Sequence, residues 1–443
     1  MPPGLVAGAT RLSSGEVEGR AARVAGGLRA AGVRGGDVVA FPAPPGVEAV
    51  VAYLACWRIG AVAAPLHHRQ SDAERAALVE RLRPRVTLPG GAGPPVLPDG
   101  EAPPVEDPGP AAIAVLLATS GSSGHPKIVR HTSGGLARKG AQMAAAHGLD
   151  AHDTVLMPAP MAHVSGLLNG LLVPGAASMA TVLVPRWSAQ EALRLIASER
   201  VTFMVGPPTY FVQMRGAPGF STGAVASLRL LSCGGAGVSA DFARETAAAF
   251  GCVVKRTYGS TEAPTVTTSL VGDPPERGWS TDGRPVGDVE LRLYGEELLV
   301  RGSELFAGYD DGTGQDEQGW FRTGDRARID DGWLVCLGRL GDTIIRGGEN
   351  VDPREVEEVC ARLPGVRQAV VVGYPDKEMG ERVGLVVLAA QVPSPAAVAA
   401  HCRAHGLSRF KTPERVLALA ELPVLTVGKP DRRALRALLE AVG

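Results

Sequence analysis

The segment Thr119–Lys127, with the sequence TSGSSGHPK, combines glycines, hydroxyls and one lysine directly after an apolar run. Glycine adopts strained backbone dihedrals and carries no Cβ, so such a loop can direct backbone N–H groups and hydroxyls at an anion, while Lys127 adds a positive charge. The spacing is not that of a P-loop, which has four residues between its first glycine and Gly-Lys. Taken alone, the segment fits a phosphate cradle and a mobile polar turn equally well.

Further polar positions follow in an order that could complete a nucleotide site. The sequence YGSTEAP sets Thr261 beside Glu262, a hydroxyl and a carboxylate that suit a phosphate and its Mg²⁺ ion. Asp325 could accept both hydroxyls of a ribose, Arg339 follows it, and Lys429 stands on a glycine loop before the last predicted helix. Each position alone is weak evidence, because aspartate is common in turns and lysine usually faces solvent.

These residues need elements that bring them together, and the hydropathy pattern predicts an α/β fold of parallel sheets covered by helices. Short apolar runs typical of buried strands alternate with helical segments as far as residue 257. Prolines and glycines predict a loop at 84–110. The predicted strands are 37–41, 112–117, 154–157, 201–205, 228–232 and 252–257. The predicted helices are 16–31, 47–58, 136–147, 188–200, which starts at a capping box, and 240–250.

The pattern changes between 285 and 337 to short strands with Gly and Asp turns, which predicts an antiparallel sheet or a small barrel. The last hundred residues read as a small α+β unit, in which Asp352 followed by proline begins a helix. We therefore predict a boundary near Gly341, with domains at 1–340 and 341–443. In the second domain the predicted strands are 368–374 and 384–390, and further helices are 395–405 and 432–441.

Composition and charge narrow the class of protein. The 443 residues exceed the usual size of a single core, so two or more domains are expected, and 45% apolar with 21% charged residues is usual for a globular protein. A net charge of −1 provides no field that would attract nucleic acid or an anionic membrane. Six scattered cysteines predict neither a metal site nor disulfides, and the N-terminus does not look like a secretory signal, so a cytoplasmic protein is expected.

Five motifs in this sequence resemble, in order and approximate spacing, those of the adenylate-forming superfamily of acyl- and aryl-CoA synthetases, nonribosomal adenylation domains and luciferases. They are TSGSSGHPK, YGSTE, RTGD, GRLGD with GGEN, and GKPDRRALR. The resemblance extends from about residue 11 to the C-terminus. It implies that a carboxylate attacks the α-phosphate of ATP, giving an acyl-adenylate and pyrophosphate, and that a thiol then displaces AMP. It also implies a large AMP-binding domain with a small β subdomain, followed by a mobile C-terminal domain.

The resemblance assigns roles in the nucleotide site. It implies that Thr261 contacts the α-phosphate, that Glu262 binds Mg²⁺, and that Asp325, with Arg339 nearby, holds the ribose. Lys429 would be the catalytic lysine that bridges the carboxylate and the α-phosphate. The β- and γ-phosphates would be held by Thr119, Ser120, Gly121, Ser122, Ser123, Gly124 and Lys127. The adenine would lie along Gly234, Gly235 and Ala236, with Tyr258 stacking on it and Gly259 and Ser260 beside it.

The acceptor of the acyl group is implied in the same way. The C-terminal domain would swing about Gly341, where relatives carry an Asp or Lys hinge, and bring Arg346, Gly347 and Gly348 to the pantetheine arm. CoA is the leading acceptor, and the alternative is the phosphopantetheine of a carrier protein acting in trans, or an amine. A noncatalytic nucleotide-binding regulator is a third hypothesis, which the presence of Glu262 and Lys429 disfavours. A homodimer is left open.

The acid is expected to be apolar. His163 stands where amino-acid-activating relatives usually carry an aspartate for the substrate ammonium, which favours an acid without an α-amino group. His163 would gate the pocket or guide the carboxylate, and the alternative is a histidine that only packs at a helix start. The resemblance is to ligases for alicyclic, aromatic or medium-chain acids. Largely apolar pocket walls are expected from Val164, Gly166, Leu167, Pro207, Pro208, Gly259 and Pro264.

Overall fold

The computed structural model describes residues 4–119, 127–235, 237–347, 349–425 and 429–442. No helix within these ranges is both long and apolar enough to cross a membrane. Three predicted parts of the site fall outside the described residues, namely Ser120, Gly121, Ser122, Ser123 and Gly124 of the phosphate loop, Ala236 of the adenine strip, and Gly348 of the pantetheine loop.

The chain divides into two compact units. The first contains Met1–Leu291 and Val300–Phe321, and the second contains Arg292–Leu299 and Arg322–Gly443. The boundary predicted at Gly341 therefore lies inside the second unit, because the β-hairpin that precedes it groups with the C-terminal segment. A separate mobile domain from residue 341 onward stays a prediction.

The first unit alternates strands with helices, as the sequence predicts. Its strands are β1 (Gly4–Ala7), β2 (Thr10–Ser13), β3 (Val38–Pro42), β4 (Val62–Leu66), β5 (Val86–Thr87), β6 (Ile113–Thr119), β7 (Lys127–Thr132), β8 (Thr154–Met157), β9 (Ala180–Leu183), β10 (Phe203–Gly206), β11 (Leu230–Gly234), β12 (Val253–Tyr258), β13 (Thr267–Thr268) and β14 (Arg284–Pro285). Its helices are α1 (Ser14–Ala30), α2 (Val47–Arg58), α3 (Asp72–Leu82), α4 (Ser133–His147), α5 (Val164–Leu167), α6 (Val173–Ala177), α7 (Ala189–Glu199), α8 (Pro208–Arg215), α9 (Ala240–Phe250) and α10 (Pro275–Ser280).

The larger sheet of the described first unit has nine strands in the order β14-β13-β12-β11-β10-β8-β9-β1-β2. Its six central strands, β12 to β1, are parallel, and the outer ones are antiparallel. Side chains alternate between the two faces of a strand, so Met204 and Leu231 pack with α7, α8 and α9, whereas Phe203 and Leu230 pack with α4. Both faces are thus covered, which explains the continuous apolar runs of these strands.

A smaller sheet in the same unit has the order β5-β3-β4-β6-β7 among the described residues. Its strands are parallel except for the hairpin of β6 and β7. Strand β4 and helix α3 are not among the predicted elements. Ser71 and Glu74 form a capping box at the start of α3, which is a sequence signal for this helix. The predicted loop at 84–110 contains β5 and otherwise no helix or strand.

Most residues of two further sheets belong to the second unit. Among its described residues, β15-β16-β17-β18 form an open four-stranded sheet, and β20-β19-β22-β21 form another, with β23 paired to β22. Helix α11 begins as predicted, with the Asp352 side chain accepting a hydrogen bond from the Arg354 N–H and proline in the first turn. The elements are β15 (Glu290–Tyr294), β16 (Glu297–Arg301), β17 (Phe321–Asp330), β18 (Trp333–Arg339), β19 (Ile344–Arg346), β20 (Glu349–Val351), α11 (Pro353–Cys360), β21 (Val366–Asp376), β22 (Gly380–Ala389), α12 (Pro395–Ala404), β23 (Arg415–Leu419) and α13 (Arg432–Ala441).

Candidate active site

The carboxyl ends of four neighbouring parallel strands bring most predicted site residues of the first unit to one edge. Strands β8, β10, β11 and β12 end at Met157, Gly206, Gly234 and Tyr258. Ligands of open α/β sheets bind outside such carboxyl ends, because the loops that follow the strands meet there. The predicted residues that directly follow these strands are Pro207, Gly235, Gly259, Ser260, Thr261 and Glu262, and His163 lies farther along the loop after β8.

The β6–β7 hairpin fixes both ends of the predicted phosphate loop. Thr119, the last residue of β6, pairs with Lys127, the first residue of β7. Lys127 is exposed, and its Nζ lies 4.4 Å from the centroid of the Tyr309 ring. Tyr309 reaches this position because it forms an antiparallel bridge with Val129 of β7. An ammonium over an aromatic face at this distance is a cation–π contact.

Tyr309 also contacts the predicted magnesium ligand. Its hydroxyl donates to Glu262 Oε1 over 2.8 Å, and the Glu262 carbonyl accepts from the Phe306 N–H at 2.9 Å. One aromatic side chain therefore touches both Lys127 and Glu262. A role for Tyr309 is not predicted from the sequence, because no charge, spacing or motif distinguishes this residue. Its position depends on the bridge to Val129 of β7.

The loop that carries Glu262 is a tight turn that requires glycine at its start. A Cβ on Gly259 would lie 2.3 Å from the Thr265 nitrogen and 2.8 Å from the Ala263 oxygen. The Ser260 N–H donates to the same Ala263 oxygen at 2.9 Å, and the Ala263 N–H donates to Ser260 Oγ at 3.2 Å. These bonds close the turn so that Thr261 and Glu262 lie at its tip, half-buried.

Two buried basic residues donate hydrogen bonds to backbone carbonyls of this turn. The His131 Nε2–H donates to the Thr261 carbonyl over 2.8 Å, and burial lowers the pKa of His131 to about 4, although this hydrogen bond and Glu262 oppose the shift. His131 is therefore neutral at pH 7. Lys139 Nζ donates to Glu304 at 3.0 Å and to the Thr265 carbonyl at 3.3 Å. Burial lowers the pKa of Lys139 and raises the pKa of Glu304, and their mutual attraction opposes both shifts.

The predicted adenine strip begins with Gly234 and Gly235, two positions at which the structure favours glycine over residues with a side chain. A Cβ on Gly234 would lie 2.3 Å from Thr257 Oγ1 of the neighbouring strand, and Gly235 has a φ of +80°. The next described strand end carries Tyr258, whose side chain is half-buried. Backbone without side chains and a partly exposed aromatic ring are features that suit a flat ligand, and the adenine contact stays a prediction.

The residues predicted to contact the acid are only partly available at the surface. His163 caps α5, and its Nδ1 accepts the Ser165 N–H at 3.2 Å, so the neutral ring carries its proton on Nε2. Val164, Pro207 and Pro208 are half-buried, and a Cβ on Gly166 would lie 2.1 Å from the Pro160 oxygen.

Three of the predicted pocket walls are buried in the described structure. Leu167 has no exposed surface, and Gly166 and Pro264 are also buried. All three pack in the interior of the first unit, and their place in the pocket wall stays a prediction. Their positions could not be judged from the sequence, because apolar residues near a site belong to the core as readily as to a pocket.

In the second unit, three predicted residues come together. Arg339 Nε lies 2.9 Å from Asp325 Oδ1, because these residues are paired in the antiparallel register of β17 and β18. Lys429 is near both, and its pKa is lowered by burial and by the Arg339 charge, while Asp325 opposes the shift. The sequence separates Asp325 from Lys429 by more than a hundred residues, and the structure brings them near each other. Their roles in the nucleotide site stay predictions.

The predicted pantetheine and hinge residues lie elsewhere in the second unit. Arg346 Nη2 lies 2.7 Å from Glu414 Oε1, and Gly347 has a φ of +59°. Gly341 lies in a 3₁₀ turn, and a Cβ placed on it would meet no atom within 4 Å. Arg346 is thus occupied by an internal ion pair, and Gly341 is unconstrained by packing.

The residues at the sheet edge fit a magnesium ion of the kind that bridges phosphates. Within the described ranges, no group of three or more His, Cys, Asp or Glu side chains could form an all-protein metal cage. Mg²⁺ in nucleotide sites is held by one or two carboxylates together with substrate phosphates and water. Glu262 suits that role because its described partner is a hydroxyl and no described ion pair involves it.

Comparisons with known proteins find similarity over most of the chain. The family model described as AMP-binding enzyme matches residues 3–99 and 88–310, and the model described as AMP-binding enzyme C-terminal domain matches residues 355–429. The chain is 30% identical to the medium-chain fatty-acid–CoA ligase of Escherichia coli (strain K12), over 92% of this chain and 82% of the relative. It is 30% identical to the indoleacetate–CoA ligase of Aromatoleum aromaticum, over 97% and 93%.

A solved structure shows a similar fold. The crystal structure of ATP-bound MatB from Rhodopseudomonas palustris matches with a TM-score of 0.88 and 28% identity, covering 100% of this chain and 96% of that chain. The similarity therefore extends over both compact units.

Proposed function

The chain belongs to the AMP-binding enzyme family, in its acid–CoA ligase branch, and from that premise we propose that it activates an apolar carboxylic acid without an α-amino group. ATP supplies the AMP moiety, and CoA accepts the acyl group. The observation that carries this proposal is that Lys127, at the start of β7, and Glu262, in the loop after β12, contact the same tyrosine, Tyr309.

The first half-reaction needs alignment of two anions and no base. The acid is ionised at neutral pH, so its oxygen attacks the α-phosphorus directly, an oxygen–phosphorus bond forms, and the bond to pyrophosphate breaks. Thr261 would contact the α-phosphate and Lys429 would neutralise the charge that gathers between the acid and the phosphate. Lys127 would hold the terminal phosphates. Magnesium, which Glu262 would hold, supplies charge neutralisation on the phosphates.

The second half-reaction transfers the acyl group to sulfur. The CoA thiolate attacks the acyl carbon, a carbon–sulfur bond forms, and the bond to AMP breaks, so that AMP leaves with the electron pair. We place Arg346 and Gly347 on the path of the pantetheine arm. The ion pair of Arg346 with Glu414 supports a role in shaping this loop.

The class of acid is supported by the surroundings of His163. Val164 and Pro207 are apolar and half-buried, and the sequence after β8 offers a histidine where a carboxylate would be needed to hold a substrate ammonium. The names of the two relatives point the same way, since one is a medium-chain fatty-acid ligase and the other an indoleacetate ligase.

The decisive experiment supplies the protein with ATP, Mg²⁺ and a panel of alicyclic, aromatic, medium-chain and amino acids, with and without CoA. Mass spectrometry of the products is expected to find an acyl-CoA and AMP for an apolar acid, and no product from amino acids. An adenylate that is never converted to a thioester would contradict the CoA assignment. Preference for amino acids would contradict the proposed acid class.

A further inference from the structure

Tyr309 connects two residues of opposite charge at the nucleotide site. Its hydroxyl donates to Glu262 Oε1 at 2.8 Å, and its ring centroid lies 4.4 Å from Lys127 Nζ. A hydrogen bond to a carboxylate is stronger than one between neutral groups, and an aromatic face attracts an ammonium. A single uncharged side chain therefore contacts both the Glu262 carboxylate and the Lys127 ammonium.

Hydrogen bonds and packing around Tyr309 fix the position of its side chain. Its own N–H donates to the Thr313 carbonyl at 2.8 Å, and the next N–H, that of Asp310, donates to the Ile128 carbonyl at 3.1 Å. Asp310 also forms an ion pair with Arg81 at 2.7 Å. The Phe306 ring packs edge-on against Tyr309 at 5.0 Å. Tyr309 is only 6% exposed, so its ring has little freedom to move.

We propose that Tyr309 is a positioning residue, which keeps the Lys127 ammonium and the Glu262 carboxylate directed at phosphate and magnesium instead of at each other. Among the described ion pairs, none joins Lys127 to Glu262, although both charges contact the same ring system. Exposed Asp311 also attracts Lys127, so the ring contact competes with a carboxylate for the ammonium. The proposal rests on the proposed function, because that function assigns phosphate to Lys127 and the metal to Glu262.

The hydroxyl and the ring can be tested separately. Tyr309→Phe removes the bond to Glu262 and keeps the face under Lys127. We expect the Mg²⁺ concentration for half-maximal ATP binding to rise about tenfold, since a bond to a charged group is lost, while ATP binding in EDTA stays unchanged. Tyr309→Leu also removes the ring, and ATP binding in EDTA should weaken about threefold as Lys127 loses its cation–π contact.

The measurement is isothermal titration of the whole protein with ATP, in EDTA and across a Mg²⁺ series, together with thermal unfolding of each variant. Tyr294→Phe, on a tyrosine that is 67% exposed, is the matched control and should leave binding unchanged. A Tyr309→Phe protein with the wild-type Mg²⁺ dependence, or with ATP binding equally weakened in EDTA, would overturn the proposal. Tyr309→Phe keeps the ring, so its result stands even if Tyr309→Leu does not fold.

The wild-type protein separates this proposal from the proposed function. If it binds ATP in a Mg²⁺-dependent way and yet adenylates no acid, the proposed function fails while the role of Tyr309 is still decided by the variants. If it binds no ATP, both fail. Recovery of adenylate formation by Tyr309→Phe at high Mg²⁺ would support positioning, because a purely structural defect would not respond to the ion.

Discussion

Arg354, in the first turn of α11, donates from Nη1 to the carbonyl oxygen of Cys336 in β18 at 3.0 Å. The same helix start is tied to the hairpin a second time, since Asp352 Oδ2 lies 3.3 Å from Arg326 Nη1 of β17. Gly338 of β18 has a φ of +131°, and a Cβ placed on it would lie 3.6 Å from Asp352 Oδ1 and 3.7 Å from Arg354 Cδ, so this part of the hairpin lies against the start of α11. These bonds explain why the β17–β18 hairpin and the C-terminal segment form one compact unit.

We predict that Arg354→Ala weakens the arrangement in which Lys429 lies beside Asp325. Formation of acyl-adenylate from acid and ATP should slow by about fivefold, as expected for loss of one hydrogen bond from a charged donor. Thioester formation from supplied acyl-adenylate should keep its rate. Rapid-mixing assays of the two half-reactions measure this, with Arg367→Ala, on an exposed strand residue, as control. Equal slowing of both half-reactions would contradict the prediction.

Replacement of Lys429, the proposed catalytic lysine, should affect only the first half-reaction. Lys429→Ala removes the charge that would bridge acid and phosphate, so adenylate formation should fall by about 10²–10³-fold or more. Acyl-CoA formation from supplied acyl-adenylate and CoA should continue. Product analysis by mass spectrometry distinguishes the two steps, and the assignment of Lys429 fails if both are lost together.

The pH dependence of the first half-reaction should report the surroundings of Lys429. Burial and Arg339 lower the pKa of Lys429 below its ordinary 10.5, so its positive charge is lost as the pH rises through that lowered value. Adenylate formation should therefore decline on the alkaline side below pH 10.5. Lys429→Arg keeps its charge in this range, so whatever activity it retains should show no such decline. An identical alkaline decline in both proteins would assign the titration to another group.

Neutral His131 should make the fold sensitive to acid. Its pKa is about 4 in the folded protein and 6.5 in the ordinary state, so the unfolded chain binds the proton first as the pH falls below 6.5. The free energy of unfolding should drop by about 1.4 kcal/mol per pH unit in that window from this group alone, and level off below pH 4.

The variant that isolates this effect is His131→Gln, which can still donate to the Thr261 carbonyl. In urea denaturation, the free energy of unfolding of this variant should be lower than that of the wild type at pH 7. It should decrease less than the wild-type value between pH 6.5 and pH 4. His152→Gln, on an exposed histidine, is the control and should follow the wild type. If the His131→Gln protein shows the full wild-type acid slope, His131 is not the group responsible.

The turn after β12 should not tolerate a side chain at Gly259. In Gly259→Ala the new Cβ would lie 2.3 Å from the backbone nitrogen of Thr265, so the tip that carries Thr261 and Glu262 must shift. Adenylate formation should fall by more than about tenfold, because misplacement of a reacting group by 1 Å is costly. Gly19→Ala in α1 is the control, since its Cβ would meet no atom within 4 Å and alanine favours the helix. Similar rates for both variants would contradict the prediction.

Local signals account for the parts of the fold that the sequence predicts well. Strand β8 and helices α9 and α13 have the predicted bounds, and the predicted caps at Ser188 and Asp352 accept the expected backbone hydrogen bonds. Each of these depends on residues within a few positions of one another. The parallel order of the larger sheet follows from the alternation of such segments, and with it the edge at which Thr261 and Glu262 lie.

The remainder depends on contacts between distant segments. Tyr309 and Glu262 are 47 residues apart, and the bond between His131 and Thr261 joins residues 130 apart. No pattern within a short window contains such pairs. The same limit applies to Leu167. An apolar residue near a site can line a pocket or pack in the core, and its sequence position alone does not distinguish the two. The roles of all the predicted site residues stay predictions, and residues 120–124, Ala236 and Gly348 also lie outside the described ranges.

The pairing of Thr119 with Lys127 fixes the two positions that flank the predicted phosphate loop. Opposed residues of an antiparallel pair have Cα atoms about 5 Å apart, so these two positions are neighbours in the sheet. Substitutions at 120–126 can therefore change the hydroxyl content of that segment while the strand pairing of Thr119 and Lys127 supplies a constant reference on either side.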